Sequence, residues 1–224
     1  LQMWYMFRGL GDYTKALGFS LHPWIFALLP ADYLHFATLL LPFVLIISDA
    51  PFRSRQQQFV LQRTGKMTWI CGQLLYLFVT CVLYTFIIWI LSWLFLLPYT
   101  EWGSDWGVAI GTATQTDAHR AYSDIILEYY VIKGATPLEA TAWVAFTMVA
   151  VLFLLGEIMI LCNLWTAKGV GTAIVSAFVF ISLFLSYLKG FLPREWLWFS
   201  PVSWMDRSVM GYTRLKLPSY GYAA

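Results

Sequence analysis

Charge is what this sequence has least of. Only 12% of its 224 residues are Asp, Glu, Lys or Arg, and 60% are hydrophobic, against roughly 25% and 45–50% in a soluble domain. A water-exposed globule so poor in charge would present contiguous apolar patches and aggregate. That excludes a soluble enzyme, a nucleic-acid binder and a disordered tail. The net charge of +2 is too small to select a polyanionic partner. Cysteine is scarce as well. Cys71, Cys81 and Cys162 all sit in apolar stretches, an odd set that points to core packing and to neither a disulfide frame nor a zinc site. His22, His35 and His119 have no partners at ligand spacing, so no metal site and no bis-His haem is expected. Neither a G-x-S-x-G nor a paired-glutamate motif occurs, and no catalytic residue is assigned. There is also no G-x-x-x-x-G-K-[ST], so the chain cannot hold ATP on a P-loop of its own. The first residue is Leu, with no cationic region or cleavage site behind it. The expectation is therefore no signal peptide, and a chain that begins inside a longer protein.

What is present is long uncharged runs. A helix needs about 20 apolar residues to cross roughly 30 Å of hydrocarbon. Met67 to Thr100 and Gly169 to Leu188 carry no charge at all; the first run exceeds that length and the second just meets it. Between Glu139 and Lys168 the only charge is Glu157. A fourth uncharged run, Tyr33 to Ser48, is shorter and contains Pro42, but Ala16 to Ala31 ahead of it is uncharged too. The expected fold is thus an all-α integral membrane protein. It forms a single transmembrane domain over residues 1–224, with spans at about 33–48, 67–97, 137–164 and 169–188. Thr136-Pro137-Leu138-Glu139 reads as a capping box that starts the third span at Pro137. Gly134 suits a left-handed residue closing a short helix over 123–133.

Lys and Arg set the expected orientation. Five of them fall in the short segments 49–66 and 164–169, against nine in segments 1–31, 98–139 and 189–224, which together are several times as long. The 49–66 loop is therefore placed in the cytoplasm. Segment 98–139, with six acids, lies outside, and the basic residues of 189–224 run against the trend. Four spans in this orientation leave both termini outside, and one further span at each end would resolve that.

Three sets of residues stand out. Glu157 is about eleven residues from Lys168, roughly 16 Å at 1.5 Å per residue, so it lies near mid-membrane. A carboxylate at that depth faces protein or water, either as a translocation-path group or as a helix-packing group. Gly169, Ala173 and Ala177 form a small-residue stripe for helix packing or a subunit seam. The loop after the first span is the third set. Asp49 can cap a helix, Pro51 is tolerated in its first turn, and Gly65 can close it. In such a helix Phe52, Gln56, Phe59 and Arg63 share one face. Arg53, Arg55, Gln57 and Lys66 add a basic, amide-rich edge. Two readings stay open: a solvated connector anchored by charge, or a helix on which a cytoplasmic partner docks.

The runs Ser48-Asp49-Ala50-Pro51-Phe52, Gln56-Gln57-Gln58, Arg63-Thr64-Gly65-Lys66 with Trp69, and Gly72-Gln73-Leu74-Leu75-Tyr76 resemble the membrane-spanning (permease) subunit of ABC-2-type ABC transporters from Gram-positive bacteria. Further matches are Asp105-Trp106-Gly107, Gly111-Thr112, Thr114-Gln115-Thr116 and Phe199-Ser200-Pro201-Val202-Ser203-Trp204, in the same order from about residue 33 to 222. The resemblance implies a six-span permease of the bacterial cell membrane, whose first and last spans would lie beyond Leu1 and Ala224. It also implies that residues 50–65 are a coupling helix seated on a cytoplasmic ABC ATPase subunit. Short re-entrant or interfacial helices would follow the fifth span, a role that 190–211, with Pro193, Trp196, Trp198, Pro201 and Trp204, would fill. Outer segments would be 98–136 and 190–224. The permease would pair with a second copy or a related permease. It would hold no cofactor itself, because ATP and Mg would be bound by the partner, and translocase activity would need that partner. The family exports drugs, lipids, polysaccharides and peptides. A hydrophobic or amphipathic peptide is the cargo expected here. The alternative is a non-transporting membrane anchor or assembly subunit that binds a partner through the outer 98–139 segment.

Overall fold

The computed structural model describes residues 2–51, 57–166, 169–188 and 194–209. Regular structure among them is helical throughout, apart from one isolated bridge between Leu21 and Thr100. Eight α-helices follow in order: α1 (Gln2–Leu17), α2 (Tyr33–Ile46), α3 (Gln57–Thr64), α4 (Lys66–Leu94), α5 (Gly107–Thr116), α6 (Tyr129–Ile132), α7 (Pro137–Trp165) and α8 (Val170–Tyr187). Short 3-10 turns link them, including Ile25–Ala31 and Pro201–Met205.

Three helices, α4, α7 and α8, are long and apolar enough to cross a membrane. This makes the chain a membrane-associated protein. The 29 residues of α7 reach about 43 Å at 1.5 Å per residue, more than the hydrocarbon thickness requires. It begins where expected. Thr136 Oγ1 accepts from the Glu139 amide at 3.3 Å, and Glu139 Oε2 accepts from the Thr136 amide at 3.1 Å. Two of the first-turn donors that a helix start leaves open are thereby satisfied.

The run ahead of Ser48 is not a straight span. The Ile25–Ala31 turn and α2 meet at 98°, and the 14 residues of α2 cover only about 21 Å. Hydropathy averages over this corner and cannot reveal it. Asp32 makes it. Its backbone is extended, and its buried carboxylate accepts from the His35 amide at 3.2 Å, from His35 Nδ1 at 2.7 Å and from the Ile126 amide at 3.1 Å. The last bond takes the Ile126 amide out of any helix, and 123–128 has no regular structure, so the helix expected over 123–133 shrinks to α6, followed by Gly134 at φ +85°.

At the centre stands α7, which packs on α4 and α8 and carries the Ile25–Ala31 and Pro201–Met205 turns. The buried line of α8 is Gly171, Val175, Val179, Ser182 and Ser186, spaced for one helix face. On the other flank, α4 and α7 touch closely at Gly156, where a Cβ would fall 2.3 Å from Leu77 Cδ1. Leu77 itself is buried and has little room to yield. Gly156→Ala is therefore expected to cost about 1–3 kcal/mol, as overpacking does. Leu77→Ala in the same molecule should recover part of that loss. Thermal unfolding of the two single variants and the double variant in micelles checks this, and strictly additive losses would refute the contact.

Candidate functional site

The elbow between α2 and α4 is built from both ends inward. After α2 the chain turns through Ile47, Ser48 and Asp49, with the Ala50 amide donating to the Ile47 carbonyl at 2.9 Å. Ile47, Ala50 and Pro51 are buried while Asp49 is exposed. The peptide between Ala50 and Pro51 is cis. Phe52, Arg53, Arg55 and Gln56 lie outside the described residues. The loop helix, expected over 50–65, is described as α3 from Gln57, so Gln57 and Phe59 fall on it. Arg63 is in its last turn and exposed. Its end closes on Gly65, at φ +81°, whose amide donates to the Leu61 carbonyl at 3.0 Å. Lys66 then opens α4, also exposed. One residue therefore separates the loop helix from a 29-residue helix that crosses the protein.

The other end of the elbow is held by a residue that no motif singles out. Asn163, in the last turn of α7, is 3% exposed. Its Nδ2 donates to the Ala50 carbonyl at 2.7 Å and to the Ser48 carbonyl at 3.3 Å. Its Oδ1 accepts from the Gly171 amide at 2.9 Å. That amide belongs to the first turn of α8, where helix donors have no internal partner. A single side chain thus ties the end of α2, the end of α7 and the start of α8. Gly171 is required there, because a Cβ would lie 2.6 Å from the Met159 carbonyl oxygen and 2.7 Å from Asn163 Oδ1. The signal in the sequence is slight: Asn163 is the only asparagine in the chain, and it sits in an apolar run.

Glu157 is two turns deeper in α7. It is half-buried and lines a hollow of about 310 Å³ between α4 and α7, with Trp69, Gln73 and Leu164 among its other walls. Gly169, at the N-cap of α8, and Ala173 and Ala177 on the helix are exposed, away from the buried line through Gly171. No group of three His, Cys, Asp or Glu side chains gathers among the described residues. Each histidine has a partner of its own at the opposite end of the molecule. His22 meets Asp105, His35 meets Asp32, and both ring nitrogens of buried His119 face backbone carbonyls, of Ala113 and Ile125. No protein-family model, curated protein or solved structure matches the chain.

Asn163→Ala removes the partner of the Ala50 carbonyl and the Gly171 amide, both buried, and of the part-buried Ser48 carbonyl. The expected loss is about 1–3 kcal/mol of stability, read as a lower unfolding temperature in micelles. Ala173→Leu on the exposed stripe is expected to stay within about 0.5 kcal/mol. Equal effects of the two would show that the amide does not hold the elbow.

Proposed function

We propose that this chain is the membrane-spanning subunit of an ATP-driven exporter of ABC-2 type in the bacterial cell membrane. In this reading a separate ABC ATPase docks on the basic elbow around Gln57–Lys66, whose Gln62–Lys66 end is exposed, and two permease subunits enclose the path. The observation that supports it most is the Asn163 amide. A push on α3 reaches α4 across the single residue Gly65. The same push reaches α2, α7 and α8 through the three hydrogen bonds of Asn163. Force applied at one loop is thereby divided between the two flanks of the helical body. These flanks meet again where Leu77 abuts Gly156. Closure of the ATPases would tilt α4 against α7 about this contact and open a route for an apolar or amphipathic peptide. ATP and Mg stay on the partner, and this chain supplies no group to the hydrolysis.

A non-transporting anchor is the second reading, and the opposite end of the molecule favours it to a degree. There the 99–107 segment is fixed to 20–24. The Leu21 amide donates to the Tyr99 carbonyl at 2.9 Å, the Trp24 indole to the Gly103 carbonyl at 2.9 Å, and Ser20 Oγ to Glu101 at 2.6 Å. Trp102 is left 80% exposed on it, as a partner-binding side chain would be.

Purification of the tagged protein from its native membrane separates the two. The exporter reading expects a P-loop ATPase to copurify, to be lost when Gln56–Arg63 is scrambled, and to be retained by Asn163→Ala. In that last variant ATP hydrolysis should lose its dependence on cargo peptide by tenfold or more. Partners that survive the scramble and vanish when 98–139 is replaced would overturn it in favour of the anchor.

A further inference from the structure

The seam between α4 and α7 carries two hollows in succession. They share one face of each helix: Phe146, Ala150, Phe153, Glu157, Leu161 and Leu164 follow at spacings of four, three, four, four and three along α7, the pattern of a single stripe. The first hollow, of about 310 Å³, has Glu157 opposite Trp69 and Gln73. The second, of about 500 Å³, is walled by Phe78, Phe146, Val149, Ala150 and Phe153, none of which has a polar side-chain atom. Phe78 and Phe153, edge to face with ring centroids 6.1 Å apart, stand at its near end. From Glu157 to Phe146 is eleven residues, roughly 16 Å along the axis.

Glu157 makes no hydrogen bond or ion pair among the described residues. A carboxyl group within a membrane helix ordinarily has a partner in protein or water. This one faces an indole across a hollow. Negative charge beside an aromatic ring is the pairing that recognises organic cations, quaternary ammonium above all. The carbon-lined hollow in line with it accepts a chain and offers nothing to a second polar group. Few polar groups converging in an otherwise apolar cleft is also the usual make-up of a small-molecule site.

We propose that the α4–α7 seam binds a single-chain lipophilic cation that enters from the bilayer. Its ammonium head sits between Glu157 and Trp69, and its alkyl chain lies over Phe78, Phe153 and Phe146. The site requires only that α4 and α7 lie in a membrane. It goes beyond the exporter reading and stands or falls separately from it.

The test uses the full chain in neutral maltoside micelles, with no ATPase present, and labelled dodecyltrimethylammonium as probe in equilibrium dialysis. Saturable binding to one site is expected, weakened at least tenfold by Glu157→Gln. Dodecanol and dodecyl sulfate should not compete. Ala150→Phe, which fills the far hollow, should weaken the dodecyl probe at least tenfold and leave hexyltrimethylammonium unchanged. This second variant carries the test if Glu157→Gln lowers the unfolding temperature. Equal binding by wild type and both variants, or competition by dodecanol, overturns the proposal. So does retention of phosphatidylethanolamine by the wild type and not by Glu157→Gln, which would make the occupant a bilayer lipid. Loss of ATPase association with ammonium binding intact would sink the exporter reading and leave this site standing.

Discussion

A backbone carbonyl or amide without a partner costs several kcal/mol in hydrocarbon, and every break in a membrane helix creates some. This chain breaks twice on the same level, once where α2 ends and once between α7 and α8. The Asn163 side chain answers both breaks, giving its two donor hydrogens to Ser48 and Ala50 and its acceptor to Gly171. Much else follows from that bond set. Position 171 must be glycine to let the amide in, and the start of the elbow is drawn into the protein while its α3 end stays exposed. The positions of α2 and α8 are fixed relative to α7 at the elbow by one side chain.

The opposite end solves the same problem with charge. Asp32 receives three donors at the 98° corner. Asp206, also buried, receives the Tyr33 hydroxyl at 2.6 Å and the Ser208 amide at 2.8 Å. Each carboxylate accepts more than one bond, as a buried charge must to offset its desolvation. A neutral amide at one end and carboxylates at the other mean that the two ends differ in how readily they yield. The amide clamp is compact and involves three helices, whereas the carboxylate network is spread over the turns that surround α2.

Much of this was legible in the residues. The starts of α4, α7 and α8 follow from charges that bracket apolar runs, and the Thr136 capping box placed α7 to the residue. The corner at Asp32 was not legible, because hydropathy registers composition and a bend changes direction without changing composition. The helix over 123–133 failed for a tertiary reason: the Ile125 carbonyl and Ile126 amide are taken by His119 and Asp32. Glu157 is visible in the residues alone, as a lone charge in an apolar run. The hollow it faces was invisible, because it depends on which residues α4 brings opposite. Asn163 gives no such signal, because its amide lacks formal charge, although it is the only asparagine in the chain.

The account turns on which side of the membrane the elbow faces, and substituted-cysteine labelling reads that directly. In a background with Cys71, Cys81 and Cys162 changed to alanine, Gln62→Cys is placed on the exposed part of α3 and treated with a membrane-impermeant maleimide. The account predicts protection in intact cells and full labelling in inside-out vesicles. Full labelling in intact cells would contradict it, because no cytoplasmic engine could then act on the elbow.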